Sequence, residues 1–202
     1  MRNRQQFGLL CVSCIVLALA LLQPSLCAHG QDERYVGRTI TGTAYGFSGR
    51  FAGRSSPFTL IVNRYTSAAD VQRLNAALQS GGQDELLRAL SGLNAGRIQL
   101  GGGVGVPANV IIATPQPNGE TKLTVVYQRN IRFSELRYGS RSEDYKFGYA
   151  ELFLGRNGQG QGTFIPAAKI RLREGNTWEV EDFGTFPARL LGLRARGGRN
   201  AR

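Results

Sequence analysis

Apolar and polar residues alternate with a period of two over several short stretches of this chain, and in one region the period lengthens to that of a helix. Residues 39–47 set Thr39, Thr41, Thr43, Tyr45 and Phe47 on one face and Ile40, Gly42, Ala44 and Gly46 on the other, the alternation of a β-strand. The small residues of the second face suit a sharply bent sheet or a close backbone approach. Residues 49–57 are turn material, and 58–65 is a strong strand with Phe58, Leu60 and Val62 facing one way. From Ser67 the pattern is helical. Ser67 with Asp70 makes a start like a capping box, Val71, Leu74 and Leu78 share a stripe, and Gly81-Gly82 ends the segment. Asp84 can cap a second helix that buries Leu86, Leu87, Leu90 and Leu93 and stops between 92 and 96.

Strands return at 97–100, 109–113 and 121–129, with Pro117-Asn118-Gly119 as the hairpin turn between the last two. Residues 130–146 are irregular and charged. Further strands are expected at 147–154, 163–173, 177–183 and 187–193, with 157–162 a flexible hairpin tip. Pro166 inside a strand implies a bulge or an edge. The fold expected is α+β: mainly antiparallel β, as a twisted sheet or partly closed barrel, with an inserted αα-hairpin. No internal repeat or linker divides it, so 31–193 is expected to be a single domain and 194–202 a disordered basic tail.

The first thirty residues stand apart. Arg2 and Arg4 precede an apolar run from Leu9 to Leu22, followed by Pro24, Ser25, Ala28 and Gly30. That is a basic n-region, an apolar h-region and small residues at a cleavage point, so 1–30 is expected to be a signal peptide. The run is shorter than the roughly 18 apolar residues of a spanning helix, and no transmembrane span is expected in the mature chain. Cys27 as an acylated lipoprotein cysteine would need small residues before it, and Pro24-Ser25-Leu26 departs from that.

Cleavage changes the available chemistry. Cys11, Cys14 and Cys27 are all the cysteines and His29 is the only histidine, so the mature chain keeps no thiol and at most one terminal imidazole. A Cys nucleophile, a Ser-His-Asp triad, a Cys/His zinc site and haem or iron–sulfur ligation are thereby excluded. A hard-cation site of oxygens remains open in principle, but no metal ligands and no cofactor are assigned. An exported domain without disulfides fits a bacterial periplasm or secretion into the medium.

The full chain carries a formal net charge of +11. Taking away Arg2 and Arg4 leaves 23 basic against 14 acidic residues, a net +9, and Arg189, Arg194, Arg196, Arg199 and Arg202 lie after the last acid, Asp182. Such an end suits an anionic surface, with Arg194, Arg196, Arg199 and Arg202 as its contacts; the plainer reading is a solvated terminus.

Other candidates are weighed against plainer readings. Gly103, Gly105 and Ala108 match G-x-G-x-x-A, yet Pro107 and Val110-Ile111-Ile112 follow where a dinucleotide fingerprint needs a helix, so a loop between strands is expected. Glu179 and Glu181 share one strand face, with Trp178 and Val180 on the other. They are the candidate catalytic carboxylates of a carboxylate-only hydrolase, against a half-buried strand with both glutamates in water. Arg132, Arg137, Tyr138, Arg141 and Tyr145 interleave cations and rings and are the candidate ligand-binding residues. The residues from Arg141-Ser142 to Phe147-Gly148, Phe164-Ile165-Pro166-Ala167-Ala168, and Val180 to Pro187 resemble stretches of a family of exported bacterial proteins of no known function. That resemblance implies export and carries over no activity, cofactor or site.

The function expected is therefore that of an exported, non-enzymatic envelope domain binding a partner or ligand. The alternatives are a hydrolase working through Glu179 and Glu181, or a polyanion or membrane-surface binder acting through the arginine tail.

Overall fold

The computed structural model describes residues 33–46, 53–129, 144–173, 177–182 and 187–197. The expected signal peptide lies outside them. A 3-10 turn, Glu33–Tyr35, leads into β1 (Arg38–Tyr45) and β2 (Ser55–Val62). The helix α1 (Ala68–Ser91) follows, then β3 (Gly96–Leu100), β4 (Val106–Ala108), β5 (Val110–Pro115) and β6 (Thr121–Gln128). The last four strands are β7 (Phe147–Leu154), β8 (Gln159–Arg173), β9 (Thr177–Asp182) and β10 (Ala188–Gly197). Among the described residues no helix is long and apolar enough to cross a membrane.

All ten strands belong to one antiparallel sheet of order β4-β3-β2-β1-β10-β8-β7-β6-β5, with β9 on the far half of β8. The end strands β4 and β5 are consecutive in the chain, separated only by Asn109. The sheet is therefore rolled until its two ends meet at one residue, but no ladder joins them. Of the two forms expected, a twisted sheet or a partly closed barrel, the sheet is the one found: it is not closed into a barrel.

The seam is held by side chains. Asn109 Nδ2 donates to the carbonyls of Leu90 (3.1 Å) and Leu93 (3.0 Å) at the end of α1, and its Oδ1 accepts from the Gln128 amide (2.9 Å). Thr66 covers the β5 edge: its hydroxyl accepts from the Ile111 amide, and its own amide donates to the Ile111 carbonyl. An edge strand treated this way cannot template another chain at that point.

Alternation puts one face of every strand except β9 inside the roll. Ile40, Phe58, Leu60, Val62, Ile98, Ile111, Leu123, Val125, Leu152, Leu190 and Leu193 all lie in this core. Tyr127 and Phe164 stack with centroids 6.4 Å apart, and Phe58 meets Phe164 edge-on at 6.3 Å. The small face of β1 serves the close approach its sequence implies: a Cβ at Gly42 would stand 2.7 Å from Leu193 Cδ2 and 2.9 Å from the Leu191 carbonyl. There β10 bulges, the pairing shifting between Thr41 and Thr43. Pro166 likewise marks a register shift, since β8 gains one residue on β7 between Ile165 and Ala168.

The αα-hairpin is not found. Helix α1 runs as a single element with one residue, Gly82 (φ 62, ψ −141), outside helical values. A reversal needs about 2–5 loop residues, and one glycine only kinks the axis. Both halves then stay on the same sheet face: Leu74, Leu78, Leu86 and Leu90 pack with Val110, Val126, Phe147, Tyr149, Ala168 and Ile170 on the outside of the roll. Fully buried leucines such as Leu86 and Leu90 contribute about 1.5–3 kcal/mol each. At the kink, the Gln83 amide bonds both the carbonyl and the amide of Ile170, occupying the β8 edge just beyond the end of β7. Ser67 caps the helix as expected, accepting from the Asp70 amide at 3.1 Å. Asp84 caps no second helix and pairs with Lys146.

Candidate functional site

α1 covers the outer face of one half of the sheet, over β6, β8 and β9. The outer face of the other half, on β3, β2, β1 and β10, is exposed. Register fixes what stands side by side there. Arg97, Ile61, Thr39 and Arg196 form one row across the four strands, and Gln99, Thr59, Thr41 and Arg194 form the next. Pro57, Thr43 and Leu191 make a third row, and Ser55, Tyr45 and Arg189 a fourth. Arg97, Arg194, Arg196, Thr43, Pro57 and Leu191 are exposed, while Thr39, Thr41, Thr59 and Gln99 are half-buried.

These four strands hold five arginines (Arg38, Arg97, Arg189, Arg194 and Arg196) and no aspartate, glutamate or lysine. Arg194 and Arg196 lie on the same face at a spacing of about 7 Å along the strand, and Arg97 is roughly 14 Å away across three strand spacings. Threonine hydroxyls lie between the guanidinium-bearing strands. Guanidinium groups with fixed forks and adjacent hydroxyls suit phosphate, sulfate or carboxylate oxygens. Without carboxylates on these strands, the local field stays positive.

Arg194 and Arg196, the anion contacts expected in a disordered tail, are strand residues: β10 continues four residues past Leu193 to Gly197, pairing Arg194 with Thr41 and Arg196 with Thr39. The backbone of 194–197 finds a partner in β1, which local sequence does not reveal. Arg199 and Arg202 lie outside the described residues.

The two candidate glutamates sit on β9. Glu181 pairs with Arg171 at 2.7 Å and Glu179 with Arg173 at 3.3 Å, cations supplied by β8. Tyr145 Oη donates to Glu181 Oε1 at 2.7 Å. That bond, with Arg171 and Lys169 nearby, holds the Glu181 carboxyl below its ordinary value. A general acid needs the opposite shift. Trp178 and Val180 face α1, where Trp178 Nε1 donates to Asn75 Oδ1 at 2.6 Å. The strand thus carries a ladder of cross-strand ion pairs above an apolar underside.

Tyr145 is thereby joined to a glutamate from the other candidate set. Arg132, Arg137, Tyr138 and Arg141 lie outside the described residues. Among the described residues, no group of three or more His, Cys, Asp or Glu side chains could hold a metal ion. An open cleft of about 370 Å³ lies at the seam, lined by Ser91, Leu93, Asn94, Val106, Pro107, Asn109 and Gln128. It carries no ionisable side chain. Comparison with known protein families, curated proteins and solved structures finds no match.

Proposed function

We propose that this protein is an exported, non-enzymatic binding domain that receives an anionic ligand on the outer face of β3, β2, β1 and β10. One observation carries the reading: the outer face of four adjacent strands bears four arginines (Arg97, Arg189, Arg194 and Arg196) and no carboxylate, with Arg194 and Arg196 exposed beside Thr39 and Thr41. The apolar sequence at 1–30 supports export. The hydrolase alternative has less behind it, since Glu181 is held ionised by Tyr145 and its cations.

Binding to heparin, a soluble polyanion, over a salt series tests this. Each anionic group contacted contributes about 0.7–0.9 to the slope of log affinity against log salt. Arg194→Gln/Arg196→Gln should therefore flatten the slope by about 1.4–1.8 and weaken binding at low salt. The same slope and affinity in that variant would refute the assignment.

A further inference from the structure

We propose that the anionic ligand is a lipid bilayer, entered by the tip of the β3–β4 hairpin; this rests on the anion-binding reading above. Large apolar side chains exposed among the described residues are Val104 (86 %), Leu100 and Leu191 (43 % each) and Ile61 (36 %). Val104 is far more open than the rest. It stands on the Gly101–Gly105 loop, whose end glycines take positive φ (74 and 81) and let the chain turn tightly. The Gly101 amide donates to the Pro57 carbonyl at 2.8 Å, Pro57 pairs with Thr43, and Thr43 with Leu191. Tip, proline, threonine methyl and leucine thus follow one line across four strands.

Cations surround this line. Arg97 Nη1 donates to the Val104 carbonyl at 3.2 Å, which fixes the guanidinium directly behind the tip. Arg189 lies one row beyond Leu191, and Arg54 precedes Ser55 at the adjoining end of β2. An apolar point with a collar of arginines matches the layered chemistry of an anionic membrane, acyl boundary inside phosphate. A dissolved polyanion would use the arginines and leave Val104 in water. Single-stranded nucleic acid would need aromatic platforms, and these rows of the face hold one ring, Tyr45.

The test uses the exported form of the protein with phosphatidylcholine vesicles, with and without phosphatidylglycerol, and with heparin. The wild type should sediment with the phosphatidylglycerol-containing vesicles and stay free of pure phosphatidylcholine. Val104→Ser, which removes the apolar side chain without adding charge beside Arg97, should weaken vesicle binding about tenfold, the ratio expected from burying one valine side chain, and leave heparin binding unchanged. Val104→Trp should gain emission that brominated lipid quenches beyond the quenching of wild-type Trp178. Vesicle binding indifferent to Val104→Ser, or no added quenching in bound Val104→Trp, would overturn the insertion. Heparin binding without vesicle binding would overturn the lipid and leave the anion reading standing; loss of both would remove both.

Discussion

Replacing Asn109 by alanine opens the seam where the rolled sheet's two ends meet. The amide makes three hydrogen bonds of 2.9–3.1 Å to Gln128, Leu90 and Leu93, and the residue is only 7 % exposed. At roughly 1 kcal/mol net per bond, the loss is about 3 kcal/mol. Two factors reduce it. The Leu90 carbonyl also accepts from the Leu93 amide at 2.9 Å, and the adjoining cleft admits water to the groups left behind. A net loss of about 2–3 kcal/mol follows, which for a domain of this size lowers Tm by roughly 5–10 °C. Asn109→Asp sharpens the test. It keeps the acceptor for Gln128 but sets a carboxylate against two carbonyl oxygens, so it should be the less stable variant at neutral pH. Its folded state favours the protonated acid, so stability should return as pH falls. Urea unfolding across pH measures both. A loss below about 1 kcal/mol for alanine, or an aspartate variant that weakens on acidification, would refute the latch.

Gly82→Ala should cost roughly 1–2 kcal/mol, because the residue takes φ 62, ψ −141. Gly92→Ala, at φ −85 with no atom within 4 Å of its added Cβ, should change little; equal effects in thermal unfolding would contradict the kink. Burial raises Tyr127 and Tyr149 above the ordinary tyrosine value of 10, with the Glu151 carboxylate adding to the shift at Tyr149. Their contribution to stability is complete below the unfolded value and should fall as pH rises above about 10; phenolate absorbance showing all seven tyrosines ionising together in folded protein would be inconsistent with that. Tyr145→Phe removes the leading cause of the lowered Glu181 carboxyl, so its midpoint by NMR should move up towards 4.5. An unmoved midpoint would show that the cations alone hold it.

Much of the sheet is written locally. Alternation marks β1, β2 and β9, Asn118-Gly119 announces the β5–β6 turn, and Pro166 announces the β8 irregularity. The helix start is equally local, since Ser67 and Asp70 are three residues apart. What escaped is what depends on distant partners. Residues 194–197 carry alternating arginines that look solvated until β1, about 150 residues earlier, supplies the ladder. Val106–Ala108 is too short and proline-bearing to register as a strand without β3 beside it. The glycine pair reads locally as a helix end, yet α1 continues through it with a kink at Gly82, because the apolar stripes of both halves fit one sheet face. The arginine and threonine rows are invisible in linear sequence, because Arg97, Thr39 and Arg196 become neighbours only through pairing. The ion pairs that occupy Glu179 and Glu181 come from β8 in the same way.

The most direct measurement is an NMR titration of the protein with heparin at low salt, read residue by residue. Shift changes concentrated at Thr39, Thr41, Thr59, Arg97, Arg194 and Arg196, and reversed by added salt, are the result predicted. Changes centred instead on α1 and β9, or the same changes in Arg194→Gln/Arg196→Gln, would contradict the claim that the open arginine face is the binding surface.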